Sequence, residues 1–95
     1  MHELNIVPVE PPYEYDEFKT ILQTGAELLR VPSIRILKIG DFGYIHGEKI
    51  DLPMSVIDIL CQNEILSYEH LQNEETQQVL LNFVNKGYWY FIDEQ

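Results

Sequence analysis

His46-Gly47-Glu48, with His70 further along, has the spacing of a facial triad that holds non-haem iron through two imidazoles and one carboxylate. Such triads sit inside barrels that this chain is too short to build. A glycine between two polar residues is also the ordinary make-up of an exposed hairpin turn, and the turn is the reading adopted. His2 reads as a terminal residue without a role. Cys61 falls on the apolar stripe of a helix, where a thiol is buried and inert rather than nucleophilic. Ser33, Ser55 and Ser67 have no His–acid pair near them in sequence and none sits in a glycine elbow, so no acyl-transfer nucleophile is set up. The carboxylate pairs Asp16/Glu17 and Glu74/Glu75 read as helix-start charges, and no glycine-rich phosphate loop exists. The expectation is no catalysis, no cofactor and no metal.

Two binding surfaces remain. A helix over residues 74–86 would expose Glu74, Glu75, Gln77, Gln78, Asn82, Asn85 and Lys86. Duplex DNA needs bases facing its phosphates, and two glutamates at the leading end repel them, so no nucleic acid is expected as a partner. The second surface is Tyr88-Trp89-Tyr90-Phe91. In a strand these alternate across two faces; one face is core, and the other is either covered by the first helix or open to a partner. Tyr88, Tyr90 and Trp89 are the partner-binding candidates, because tyrosine and tryptophan suit interfaces.

The elements that position these residues can be read from periodicity. Thr76, Val79, Leu80, Phe83 and Val84 form one apolar stripe. Asn73 is a natural N-cap, and Gly87 can take the positive φ that ends a helix. Tyr88–Ile92 then reads as a strand, and contact of Trp89 or Phe91 with Val79 and Phe83 should bury much apolar area. Earlier, Glu14–Leu29 reads as one amphipathic helix with Phe18, Ile21, Leu22, Gly25, Ala26 and Leu29 inward; the small pair allows close packing or a kink. Ser33–Ile39 and Phe42–His46 read as strands joined by a Gly40-Asp41 turn of type II′. A second turn spans His46–Lys49, Pro53 opens a helix whose inner stripe is Val56, Ile57, Leu60 and Cys61, and Ser67 caps a shorter one anchored by Leu71. The fold expected is α+β, a winged helix-turn-helix: N-terminal helix, β-hairpin wing, three-helix bundle, and a final strand that joins the hairpin in a three-stranded antiparallel sheet. Residues 1–12, with Pro8, Pro11 and Pro12, read as an extended Pro-rich arm or linker, and residues 13–95 as the winged-helix domain.

Composition narrows the partner. In 95 residues there are 16 acids against 6 bases, a formal net charge of −10. Such a field favours basic partners or plain solubility over nucleic acid and anionic lipid. A lone cysteine allows no intrachain disulfide, no apolar run approaches the ~20 residues a bilayer requires, and no signal peptide is legible, so a cytoplasmic, membrane-free protein is expected.

Pro32-Ser33-Ile34-Arg35, His46-Gly47-Glu48, Leu52-Pro53 and Gly87-Tyr88-Trp89-Tyr90-Phe91 together carry a resemblance over residues 16–94. The run resembles the C-terminal winged-helix domain attached to Jumonji-type cupin oxygenases, the bacterial ribosomal-oxygenase group. That resemblance implies that iron and 2-oxoglutarate belong to a cupin barrel this chain lacks, so no catalytic residue carries over. It implies an accessory domain that contacts protein, either another copy of itself as a homodimer or a cupin-type oxygenase domain, with the arm as linker. A topological likeness also links the pattern to leader-peptide-recognition domains, which bind a peptide as an added strand. An acidic DNA mimic is the third reading.

Overall fold

The structure, a computed structural model, describes residues 8–92, so His2 lies outside the described residues. Helix α3, Glu74–Asn85, is the organising element, and its ends form as the sequence dictates. The Asn73 side chain accepts a hydrogen bond from the Glu75 N–H at 2.8 Å, satisfying one orphan donor of the first turn. At the other end Gly87 adopts φ +89°; its N–H reaches the Val84 carbonyl at 3.0 Å, and the Tyr88 N–H reaches the Phe83 carbonyl at 3.0 Å. That pair of bonds is a Schellman cap, which glycine closes without steric cost. Thr76, Leu80, Phe83 and Val84 are buried as expected, and Leu81 joins them. Gln77 does not face solvent: it is 2% exposed, held by two hydrogen bonds.

The first helix is shorter than its periodicity suggests. Helix α1 covers Tyr15–Gln23, and Gly25, at φ +101° with open space around it, ends it. The apolar spacing runs on past this point, but the glycine takes a conformation that β-carbon-bearing residues avoid. Gly25 is therefore exposed, and Leu28–Arg30 forms strand β1 instead.

Two three-stranded antiparallel sheets follow, in place of one. Strands β2 (Ile36–Ile39), β3 (Phe42–Ile45) and β4 (Glu48–Ile50) form the wing. Its outer strand Glu48–Ile50 occupies part of the stretch expected to be turn. The other sheet has β1 at its centre, flanked by β5 (Ile65–Leu66) and β6 (Trp89–Phe91). The final strand does complete a three-stranded sheet, but against Leu28–Arg30 rather than the hairpin, with Leu28 opposite Phe91 and Arg30 opposite Trp89. The pairing differs because β1 was hidden inside a helix-like pattern. Helix α1 lies against α3 and brings Phe18 within 5.7 Å of the Phe91 ring. The arm meets the end of α3 at Val9, whose N–H donates to the Asn85 carbonyl at 3.0 Å. The Asn85 side chain also brackets the Tyr13 backbone, accepting at 2.8 Å and donating at 3.1 Å.

Helix α2, Met54–Gln62, uses Pro53 as its N-cap rather than its first helical residue. It sits against the wing where β3 has no side chain. A β-carbon on Gly43 would lie 2.8 Å from Cγ2 and 2.9 Å from Cδ1 of the buried Ile57. Gly43→Ala should therefore cost about 1–3 kcal/mol through overpacking. Urea unfolding is the measurement, and Gly43→Ala paired with Ile57→Val should recover part of the loss.

Candidate functional site

The His46-Gly47-Glu48 segment is a hairpin turn and an anchor. His46 at φ 50° and Gly47 at φ 84° are the two positive-φ residues that a two-residue type I′ turn requires. Glu48, just beyond, accepts from Lys86 Nζ at 2.6 Å and from the Tyr88 hydroxyl at 2.9 Å. This ties the wing to the end of α3. The His46 ring stacks obliquely 5.3 Å from Tyr88. His70 is occupied elsewhere, its Nδ1 accepting the Ser67 N–H at 3.1 Å. Among the described residues no three His, Cys, Asp or Glu side chains converge on a metal position. Cys61 is half-buried rather than sealed in the core.

Hydrogen bonds from Lys86 and then Tyr88 hold the Glu48 carboxyl below its ordinary value of 4.5, while burial and the Glu48 bond hold the Tyr88 hydroxyl protonated above its own. A depressed folded-state pKa contributes stability above the unfolded value and loses it as pH falls through the folded one. Glu48→Gln should thus melt below the parent at neutral pH, and the gap should close as pH drops below 4.5. The Lys86 and Glu48 side chains are 37% and 43% exposed, so solvent screening keeps the effect small. Thermal melts across a pH series measure it.

The aromatic strand divides sharply. Trp89 is fully buried and Tyr88 is 6% exposed, whereas Tyr90 is 44% exposed. Tyr88 and Trp89 therefore present no surface to a partner. Arg30 lies 5.6 Å over the Trp89 ring, and Phe91 is covered by Phe18 and by Tyr13, whose ring meets it edge-on at 5.7 Å. Tyr90 pairs with Leu29, which pairs with Ile65. One row, Ile65–Leu29–Tyr90, thus crosses the outer face of the sheet, and Ile65 is 45% exposed. Sequence reasoning missed Leu29 and Ile65 because neither was placed on a strand. A glycine immediately before an Ala-Glu-Leu-Leu-Arg run was the available signal.

A helix, a 3-10 turn at Tyr68–His70 and a glycine-capped second helix, set against a β-meander wing, define a winged-helix domain. The chain belongs to the ROXA-like winged helix family, which it matches over residues 1–90. It is 42% identical over 95 positions, 95% of its length, to the ribosomal protein uL16 3-hydroxylase of Escherichia coli, of which it covers 26%. It superposes on YcfD, a ribosomal oxygenase from Escherichia coli, with a TM-score of 0.83 at 41% identity, covering 97% of this chain and 27% of that one. Against YcfD bound to cobalt and 2-oxoglutarate the TM-score is 0.82 at 41% identity, with the same coverage. The chain thus spans about a quarter of the length of these relatives. No helix among the described residues is long and apolar enough to cross a membrane.

Proposed function

We propose that this domain is a non-catalytic accessory module of the cytoplasm that makes protein contacts, with a cupin-type oxygenase domain or a second copy of itself as partner. The observation that carries the reading is the match itself: near-complete coverage of this chain by about a quarter of an oxygenase. The His and Glu side chains that suggested a metal are engaged in turn and anchor contacts, which supports a structural use for them. The contact surface is the Ile65–Leu29–Tyr90 row, an apolar strip with an amphipathic aromatic at one end. Duplex DNA is not a ligand on this reading, because 16 acids against 6 bases give the phosphate term the wrong sign.

Mixing the chain with a cupin-type oxygenase domain that lacks its own winged helix tests the proposal. Sedimentation should show a complex or, with the chain alone, a dimer. Tyr90→Asp and Ile65→Asp should each weaken association by about tenfold or more, since each places a charge in a desolvated contact. Association unaffected by both variants, or a strict monomer that ignores the oxygenase domain, refutes it.

A further inference from the structure

Arg30 and Arg35 are the only arginines of the chain, and both line one cleft of about 360 Å³ between the two sheets. Ile36 and Leu37 of β2, with Cys61 and Glu64, also line it. Acids outnumber bases 16 to 6, yet among the described residues the salt bridges use Lys38 with Asp58 and Lys86 with Glu48. Neither arginine is in one. Arg30 is nonetheless held in place: its Nη1 donates to the Leu60 carbonyl at 3.2 Å, and its guanidinium lies over Trp89. Arg30 is half-buried and Arg35 exposed, and both contribute to the lining of the cleft.

The β2 edge adds a second, independent feature. Strand β2 pairs with β3 on one side only. Its two-residue loop makes Ile39 and Phe42 a hydrogen-bonded pair, and antiparallel alternation then directs the backbone groups of Ile36 and Lys38 away from β3. Those groups lie on the strand whose residues line the cleft. Leu37 and Ile39, 56% and 61% exposed, offer apolar contacts along the same strand.

We infer that the cleft binds an extended polypeptide segment that adds along β2 and seats one carboxylate between Arg30 and Arg35. Arginine matches a carboxylate with two parallel donors, and an open strand edge pairs with another backbone. A peptide fits better than nucleic acid. Only a peptide satisfies the β2 edge, and Glu64 in the cleft together with the net charge opposes a run of phosphates while leaving room for a single carboxylate. Distant acids are screened within a Debye length of about 8 Å at physiological salt. The site borders the Ile65–Leu29–Tyr90 row but uses none of its three side chains, so Arg35 and the β2 edge test it separately from the accessory role.

The test titrates the isotopically labelled chain with a short peptide alternating valine and glutamate. The same peptide with glutamine, and a thymidine oligonucleotide, run alongside. The glutamate peptide should move the amide signals of Ile36 and Lys38 and slow alkylation of Cys61. It should bind about tenfold more tightly than the glutamine peptide, the worth of a charge-assisted pair. Arg35→Gln should abolish that preference, while Lys49→Gln, which removes the same charge from the exposed strand β4 at the other edge of the wing, leaves it intact. If Arg35→Gln lowers the melting temperature, Arg35→Lys takes its place, with weakened binding again expected because the fork is lost. Equal binding of the two peptides, signals at Ile36 and Lys38 that do not move, or tighter binding of the oligonucleotide overturns the inference.

Discussion

Trp89→Ala should remove about 3–5 kcal/mol of stability, the range for deleting a fully buried large aromatic. Domains of this size hold only about 5–15 kcal/mol in total, so the variant should unfold at a far lower urea concentration or fail to accumulate. Position sets the size of the loss. Trp89 is fully buried, pairs with Arg30 on the central strand β1, and lies directly after the Schellman cap, so its loss opens a void where α3 meets the sheet. Its indole N–H is buried without a hydrogen-bond partner among the described residues, and an unmade buried bond costs about 1–3 kcal/mol. Trp89→Phe removes that orphan along with part of the volume. It should therefore lose much less than the alanine variant, by circular dichroism in urea. Since Trp89 is the only tryptophan, parent fluorescence reports the same transition.

Gln77→Ala should cost about 2–4 kcal/mol, since two partners lose their bonds in a buried setting. The Gln77 Nε2 donates to the Leu71 carbonyl at 2.6 Å, and its Oε1 accepts from the Tyr15 hydroxyl at 2.6 Å. One side chain thereby joins α1, α3 and the turn that enters α3. Tyr15→Phe removes a single, partly exposed bond and should cost about 1 kcal/mol. In the double variant the losses should not add, because both report on one contact. Gln77→Leu keeps the bulk but leaves the Leu71 carbonyl unpaired, so it should rescue only part of the stability. Equal stability of Gln77→Leu and parent would show that packing alone is what this position supplies.

Gln77 also marks where sequence reading stopped. Nothing local distinguishes it from Gln78, which is exposed; the difference is made by Tyr15 and by the Leu71 carbonyl, and only the folded chain brings these together. The caps at Asn73 and Gly87 were legible because capping is a contest among neighbouring backbone groups. So was the hairpin turn at Gly40-Asp41, where Gly40 carries φ 62°. Gly25 was legible in principle, but the apolar spacing across it mimics a longer helix, and once β1 is absorbed into that helix the sheet partner of β6 cannot be named. The candidate surface suffered from the same error. Tyr90 stood out in the sequence because it is aromatic, whereas Leu29 and Ile65 become its neighbours only through β1 and β5. Tyr88 and Trp89 were chosen for chemical type, and burial overrules type.

Strand β1 sits at the middle of its sheet, yet both of its neighbours come from far downstream in the chain. Wing strands β2 to β4, by contrast, are consecutive and can close as soon as Ile50 is available. Long-range pairing is slow because loop closure precedes any reward from contact. During synthesis, therefore, the wing can order early, while Leu28–Arg30 waits with two open edges until residues 65–66 and 89–91 arrive. In that interval an apolar strand flanked by nothing is a template for the wrong chain. Its brevity, three residues ending in arginine, limits how far such a mispairing can extend.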